Sequence, residues 1–379
     1  MRIAYLVNSR WPRLRGAEKL LLGLLAHGRS LGFEVSVIAP AASAIHEACR
    51  AAGIRSDEAD FKLNPSSIGT LRRLMDELRP DIVQGMSIFP VAFVRRLGLV
   101  PDAARVSFFA YVSTDPTSTL PIAASRFQRP LLWLRNTVSR SEAPRLDALF
   151  VASSTVAEHL REARILGHTV PIPGRIDLAR LEAASHSPLD LPPGRPRIGY
   201  AGFLEPLKGI DELVVAFAQV LPAHPEARLL VAGDGPERDR LLELARSLGA
   251  GDRVTLLGFI DPVAPLLAKL DVFVSPSHSE GIGTSILEAM AFGVPCVCAD
   301  SGGPSEFISD GVSGLLVPAG DPSALSAAIS HMLDHPAETE RIAAHGRSVA
   351  LAPPYLLSST LETVFAEYAR AQRLPSDAG

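Results

Sequence analysis

Two acids eight positions apart, Glu280 and Glu288, flank a run of mostly small residues, Gly281-Ile282-Gly283-Thr284-Ser285. The apolar Val272-Phe273-Val274 before Ser275 predicts a strand, followed by a glycine-bearing loop and a helix that begins near Ser285. Glycines at 281 and 283 let backbone N–H groups approach a ligand closely. The start of a helix adds unpaired N–H groups and the positive end of its dipole. Such a loop suits a diphosphate. Glu288, about one turn inside the helix, is placed to accept from both hydroxyls of a vicinal diol on the attached sugar. Glu280, ahead of the helix, is placed to address the other end of the same ligand. Plainer readings stand beside these. Ser285-x-x-Glu288 fits a capping box in which the acid closes its own helix, and Glu280 reads equally as a solvated loop acid.

The elements that must hold this loop alternate along the whole chain. Residues 2–7, 34–39, 81–84, 105–110 and 148–152 read as buried strands, rich in Val, Ile, Leu and Phe without strict alternation, as in a parallel sheet covered on both faces. Ala17, Leu20, Leu21, Leu24 and Leu31 recur at helical spacing between the first two, which predicts the crossover helix of a β-α-β unit. Four prolines in residues 185–196 break the rhythm and predict an interdomain linker. A second series follows, with strands at 197–201, 228–232, 253–257, 272–275, 295–299 and 314–317. Its helices fall near 210–221, 237–248, 262–269, 285–292, 322–333 and 337–349. The expected architecture is α/β, with two Rossmann-like, doubly wound parallel-sheet domains (1–184 and 197–352) facing across a cleft. A last helix, within 353–374, is expected to pack back on the first domain. Open α/β sheets bind ligands beyond the carboxyl ends of their strands.

Composition narrows the classes. The chain has 379 residues, 47% hydrophobic and 21% charged, ordinary for a protein with two cores. No apolar run reaches the ~18 residues that span a bilayer. The opening Met1-Arg2-Ile3-Ala4-Tyr5-Leu6-Val7 reads as a first strand rather than a signal peptide, so the expected location is the cytoplasm. Three cysteines give no disulfide framework, and Cys296 and Cys298 read as small apolar residues of a buried strand. No acidic pair or cluster suggests a metal. Residues 1–190 carry 24 Lys+Arg against 18 Asp+Glu (net +6), and residues 191–379 carry 13 against 23 (net −10), which together give the −4 of the chain. The basic half suits an anionic acceptor or peripheral contact with the inner face of a membrane. Nothing points to nucleic acid. The basic stretch 126–145, with Leu131-Leu132-Trp133-Leu134, reads as a packed helix whose arginines share no single face. Arginine in large excess over lysine, with abundant Ala and Pro, hints at a GC-rich bacterial genome.

Residues 275–318 resemble glycosyltransferase family 4, a retaining family with the GT-B fold. The resemblance rests on Pro276-Ser277, Glu280-Gly281 and Leu287-Glu288-Ala289-Met290, with seven residues between the two glutamates, then Gly293-Val294-Pro295. It extends to Gly302-Gly303-Pro304-Ser305-Glu306, Gly311-x-x-Gly314, Gly233-Asp234-Gly235-Pro236 and Lys208-Gly209. The resemblance implies that Glu280 contacts donor-sugar hydroxyls near the reacting carbon and Glu288 holds the ribose. It implies that Gly281, Ile282, Gly283 and Thr284 cradle phosphate and sugar. Lys208, with Gly202 at the head of its segment, would neutralise the departing diphosphate, where a placed cation acts most strongly. In the first domain Arg15-Gly16-Ala17-Glu18 is similar to the family's glycine-glycine-alanine-glutamate turn, which brings Gly16 to the donor and Arg15 to the acceptor side.

The match departs from the family in three places. Phe203 stands where the family has an arginine, in Gly202-Phe203-Leu204-Glu205-Pro206-Leu207-Lys208. Arg15 replaces a glycine. The stretches 81–86 and 106–111 lack the histidines the family carries there, leaving Tyr111, Ser113, Thr114 and Asp115 as polar candidates for the acceptor side. The reaction expected is transfer of a sugar, with retention, from a nucleoside diphosphate sugar (UDP before GDP) to a hydroxyl acceptor. The setting would be glycoconjugate, cell-envelope or natural-product synthesis, with no metal and no cofactor beyond the co-substrate. Two other classes remain compatible: a non-catalytic nucleotide-sugar-binding or partner subunit of the same fold, and a nucleotide-sugar epimerase.

Overall fold

The computed structural model describes residues 1–9, 14, 16–101, 104–110, 137, 141–162 and 164–373. Arg15, Tyr111, Ser113, Thr114, Asp115 and most of the basic stretch 126–145 lie outside the described residues. The chain divides into two units, Met1–Pro173 with Leu357–Gly379, and Gly174–Leu356.

The first unit is built on a seven-stranded sheet of β1 (Arg2–Leu6), β2 (Glu34–Ala39), β3 (Arg55–Glu58), β4 (Ile82–Gly85), β5 (Arg105–Ala110), β6 (Ala148–Val151) and β7 (Thr169–Pro171). Their order across the sheet is 3-2-1-4-5-6-7, and all pairs are parallel. Side chains alternate between two clusters. Ile3, Tyr5, Val35, Val37 and Phe150 enter one, and Leu6, Ile38, Leu149 and Val151 the other. This is the period of two that a sheet buried on both faces requires. β3 and β7, at the two edges, are short and carry no strong apolar signal. Arg-Ser-Asp-Glu of β3 has no fully buried residue.

The second unit repeats the plan with β8 (Arg197–Ala201), β9 (Arg228–Ala232), β10 (Val254–Gly258), β11 (Val272–Ser275), β12 (Cys296–Asp300) and β13 (Leu315–Pro318), ordered 10-9-8-11-12-13 and parallel. Counted from its own first strand this is 3-2-1-4-5-6, the dinucleotide-binding order. The described strand orders make both units Rossmann-like, as expected. Cys296 and Cys298 are buried in β12 without a disulfide, and burial pushes both thiols well above the usual range.

One device recurs in both units. The backbone N–H of Arg2 donates to the Asp81 carboxylate at 2.7 Å, and that of Arg197 donates to Asp271 at 2.7 Å. Each aspartate precedes the strand that pairs with the first one on the far side. It returns its own N–H to the arginine carbonyl, at 2.8 and 2.9 Å respectively. The point where strand order reverses is thus tied at its amino end in each sheet.

The division between units corrects the expected linker. Residues 185–196 do not join the units, because they are fastened to the second. Lys269 donates to the Leu189 carbonyl (2.7 Å) and Arg228 Nε to that of Pro193 (2.8 Å). The helix Leu178–Ser185 also belongs there, with Arg180 paired to Asp261 at 3.1 Å. The chain crosses after Pro173 and returns at Leu357. Prolines stopped the helix, but arginine and lysine donors from the second unit fixed what followed. The helix Leu357–Arg373 lies with the first unit, where Val364, Phe365 and Tyr368 join the core of β1, β2 and β6. Tyr368 donates its hydroxyl to buried Gln84 Oε1 at 3.0 Å.

Candidate active site

The site residues of the second unit gather where strand order reverses, between β8 and β11. Beyond β8, Gly202 donates its N–H to the Ala232 carbonyl at 2.9 Å. A single 3-10 turn, Pro206–Lys208, then ends on Gly209 in the left-handed region (φ 59°), which also starts the helix Ile210–Val220. Pro206 presets the turn and Gly209 stops it, so Lys208 stands at its last position. Beyond β11, the loop 276–283 leads into the helix Thr284–Ala291.

Lys208 Nζ lies 2.8 Å from Glu280 Oε2, and their side chains are only 14% and 17% exposed. Ser277, buried, donates its hydroxyl to the same oxygen at 3.3 Å. Glu280 is held by its backbone as well. Its N–H reaches the Ser301 carbonyl (3.3 Å), and its carbonyl accepts from Gly303 (3.0 Å). This makes a short parallel bridge to Gly302. Gly303 allows that approach, since a Cβ there would fall 2.6 Å from the carbonyl oxygens of both Glu280 and Gly281. Beneath lies Tyr200, whose hydroxyl donates to the Phe203 carbonyl at 3.3 Å. Burial pushes that hydroxyl well above its usual range, and the negative charge of Glu280 adds to the effect.

Gly283 sits immediately before the helix with φ 74° and ψ 63°, and no side chain caps the first turn. The capping-box reading of Ser285 and Glu288 therefore fails: the cap position is Gly283, two residues earlier. Glu288, fifth in the helix and half-buried, is left to other partners. Gly281, Ile282 and Gly283 are buried and Thr284 opens the helix, so the run expected to cradle phosphate is one compact turn beside Glu280. The structure puts Lys208 in contact with Glu280, with the run 281–284 following it and Glu288 on the helix beyond, while Gly202 lies just beyond β8 beside Ala232. Gly16 lies in the first unit, where it opens the helix Gly16–Ser30 beyond β1. Phe203 is partly buried in the Lys208 loop.

Sequence reasoning missed Ser277, His278 and Glu212. Ser277 and His278 stood inside the quoted run but drew no role, and Glu212 lies on a helix whose pairing only the fold reveals. In the first unit, Gln84, near one missing histidine, is fully buried.

Comparison with known proteins gives the family and the fold. Residues 14–180 match the family described as Glycosyltransferase Family 4, and residues 182–349 match Glycosyl transferases group 1. The GDP-mannose-dependent alpha-mannosyltransferase of Mycolicibacterium smegmatis is 30% identical over 370 residues, 93% of each chain. The chain belongs to glycosyltransferase family 4. The D-inositol 3-phosphate glycosyltransferase of Segniliparus rotundus, another relative, is 35% identical over 213 residues. That match takes in 53% of this chain and 47% of the relative, so the chain spans about half the length of that relative. Among solved structures, Anabaena HepE in complex with UDP superposes with a TM-score of 0.77 at 20% identity, covering 98% of this chain and 100% of that one. At that identity the likeness speaks for the fold, which is GT-B. Among the described residues, no helix is long and apolar enough to cross a membrane.

Proposed function

We propose that this family 4 protein is a retaining glycosyltransferase that moves a hexosyl unit from a nucleoside diphosphate sugar to a hydroxyl acceptor. The observation that carries the proposal is the Lys208–Glu280 contact at the strand-order reversal, directly before the helix that bears Glu288. A cation and a carboxylate held 2.8 Å apart suit a ligand whose diphosphate and sugar hydroxyls adjoin. The backbone N–H groups of 281–284 and Lys208 would receive the diphosphate. Glu280 would accept from hydroxyls near the anomeric carbon, and Glu288 from the ribose diol.

In the reaction, the bond from the anomeric carbon to the phosphate oxygen breaks and the acceptor oxygen bonds to the same face. The acceptor's proton passes to the leaving phosphate oxygen. Charge grows on that phosphate in the transition state, where the Lys208 ammonium stabilises it most. We take UDP as the favoured nucleotide and GDP as its competitor: HepE is described with UDP, and the M. smegmatis relative as GDP-mannose-dependent. The basic first half supports an anionic acceptor or one presented at a membrane surface. We expect no metal requirement, so a chelator should leave the rate unchanged.

A thermal-shift screen of UDP-, GDP- and TDP-sugars finds the donor, because a ligand bound to the folded state raises the apparent melting temperature. Slow release of nucleoside diphosphate from that donor then marks the enzyme. A protein that binds the sugar nucleotide and releases nothing would be the non-catalytic partner instead. Retention of anomeric configuration, read by proton NMR of the product, tests the stereochemistry.

A further inference from the structure

The loop that carries Glu280 is fastened at a second point, which the transfer chemistry does not use. His278 stands two residues before Glu280, and its Nε2 lies 2.9 Å from Glu212 Oε1. The contact joins a ring nitrogen of this loop to a carboxylate oxygen of another segment. Glu212 is in the first turn of the helix that follows Lys208 and Gly209. Gly320, just beyond β13, lies beside the His278 ring, where an added Cβ would fall 3.8 Å from Cε1. Three loops, those following β8, β11 and β13, therefore meet around the His278 ring.

Backbone contacts run alongside. The His278 N–H donates to the Leu207 carbonyl at 3.0 Å. Gly209 approaches the Pro276 carbonyl so closely that a Cβ would fall 2.4 Å from its oxygen. His278 is 39% and Glu212 21% exposed, so the pair sits at the solvent edge of the site. Neither touches Lys208 or Glu280, yet each is within four residues of one of them.

We propose that His278 and Glu212 form a positioning brace, which sets the distance between the Lys208 loop and the Glu280 loop beside the turn at Gly320. Its kinetic consequence rests on the transferase reading, whereas the brace itself belongs to the free protein. Neither is a catalytic residue. The brace matters because groups misplaced by about 1 Å lose much of their effect on a reacting centre.

The test uses the full chain. Hydrogen exchange at the amides of 276–283, without ligand, is the direct readout. His278→Leu should speed exchange there about fivefold, the scale of a partly exposed ion pair. His278→Gln, which keeps a donor, should restore most of the protection, and β1 to β7 should exchange as before. Unchanged exchange at 276–283 in His278→Leu overturns the brace. Glu212→Ala opens the same contact from the helix side and serves where His278→Leu does not fold.

Calorimetry with UDP and GDP, and nucleotide release from UDP-glucose and GDP-mannose, give the second readout. Positioning predicts that nucleotide affinity stays within about twofold while kcat falls about fivefold, and that His278→Gln recovers kcat. An equal loss in affinity with kcat unchanged overturns it. A parent protein that binds neither nucleotide would sink the transferase reading, and the exchange experiment would still decide the brace.

Discussion

Glu280 and Glu288 differ in what surrounds them, and their variants should differ accordingly. Glu280 contacts Lys208 and Ser277, and on the proposed roles Glu280→Ala should mainly slow transfer. On the proposed roles, Glu288→Ala would remove the ribose-diol acceptor and should weaken nucleotide binding about tenfold or more, the scale of hydrogen bonds to a charged group. Calorimetry with UDP and single-turnover rates separate the two, and parent-like values for both variants would refute the assignment. Gly283→Ala tests the turn itself. A side chain at φ 74° is strained, and its Cβ would fall 2.5 Å from Ile286 Cδ1. A loss of about 1–2 kcal/mol in urea unfolding is expected, together with weaker nucleotide binding.

At the scale of elements, the aspartates before β4 and β11 tie the strand-order reversal in each sheet. Burial pushes the Asp81 carboxyl up, but the hydrogen bonds from the Arg2 N–H and guanidinium, with the arginine's charge, outweigh it and hold it below the usual range. A lowered carboxylate stabilises the fold above its unfolded pKa and loses that contribution as pH falls through the folded value. Asp81→Asn should therefore melt below the parent at pH 7. The difference should shrink as pH falls below about 4, the ordinary aspartate value. A constant gap across that range, in melting curves of the two proteins, would show that the carboxylate charge is not what ties β1 to β4.

At the scale of the molecule, each unit has its own core, and the first is completed only by the last helix. Val364, Phe365 and Tyr368 are as much part of that core as β1. Tyr368→Phe removes a donor from buried Gln84 Oε1 and should cost about 1–3 kcal/mol. The loss should appear as faster hydrogen exchange in β1 and β4, while the strands of the second unit keep theirs. Loss of protection in β8 to β13 alone would contradict the assignment of this helix to the first unit.

Most of the second unit was legible in the sequence. Its strands are apolar, the edge strands β10 and β13 included, its helices amphipathic, and the run from Pro276 to Met290 is local chemistry that needs only one turn and one helix. The same locality made the fold class and the Glu280–Glu288 spacing readable, because backbone periodicity and glycine placement act over a few residues. Strands β3 and β7 escaped because they are short and carry almost no buried apolar residue, β3 being Arg-Ser-Asp-Glu and β7 Thr-Val-Pro. The place where the chain changes units escaped because it depends on which distant donors claim the carbonyls of 189 and 193. Lys208 reached Glu280, and Glu212 reached His278, only through the parallel pairing of β8 with β11, which brings residues some seventy positions apart to one rim. Such partners are set by strand order, and strand order is a property of the folded sheet rather than of any stretch of sequence within it.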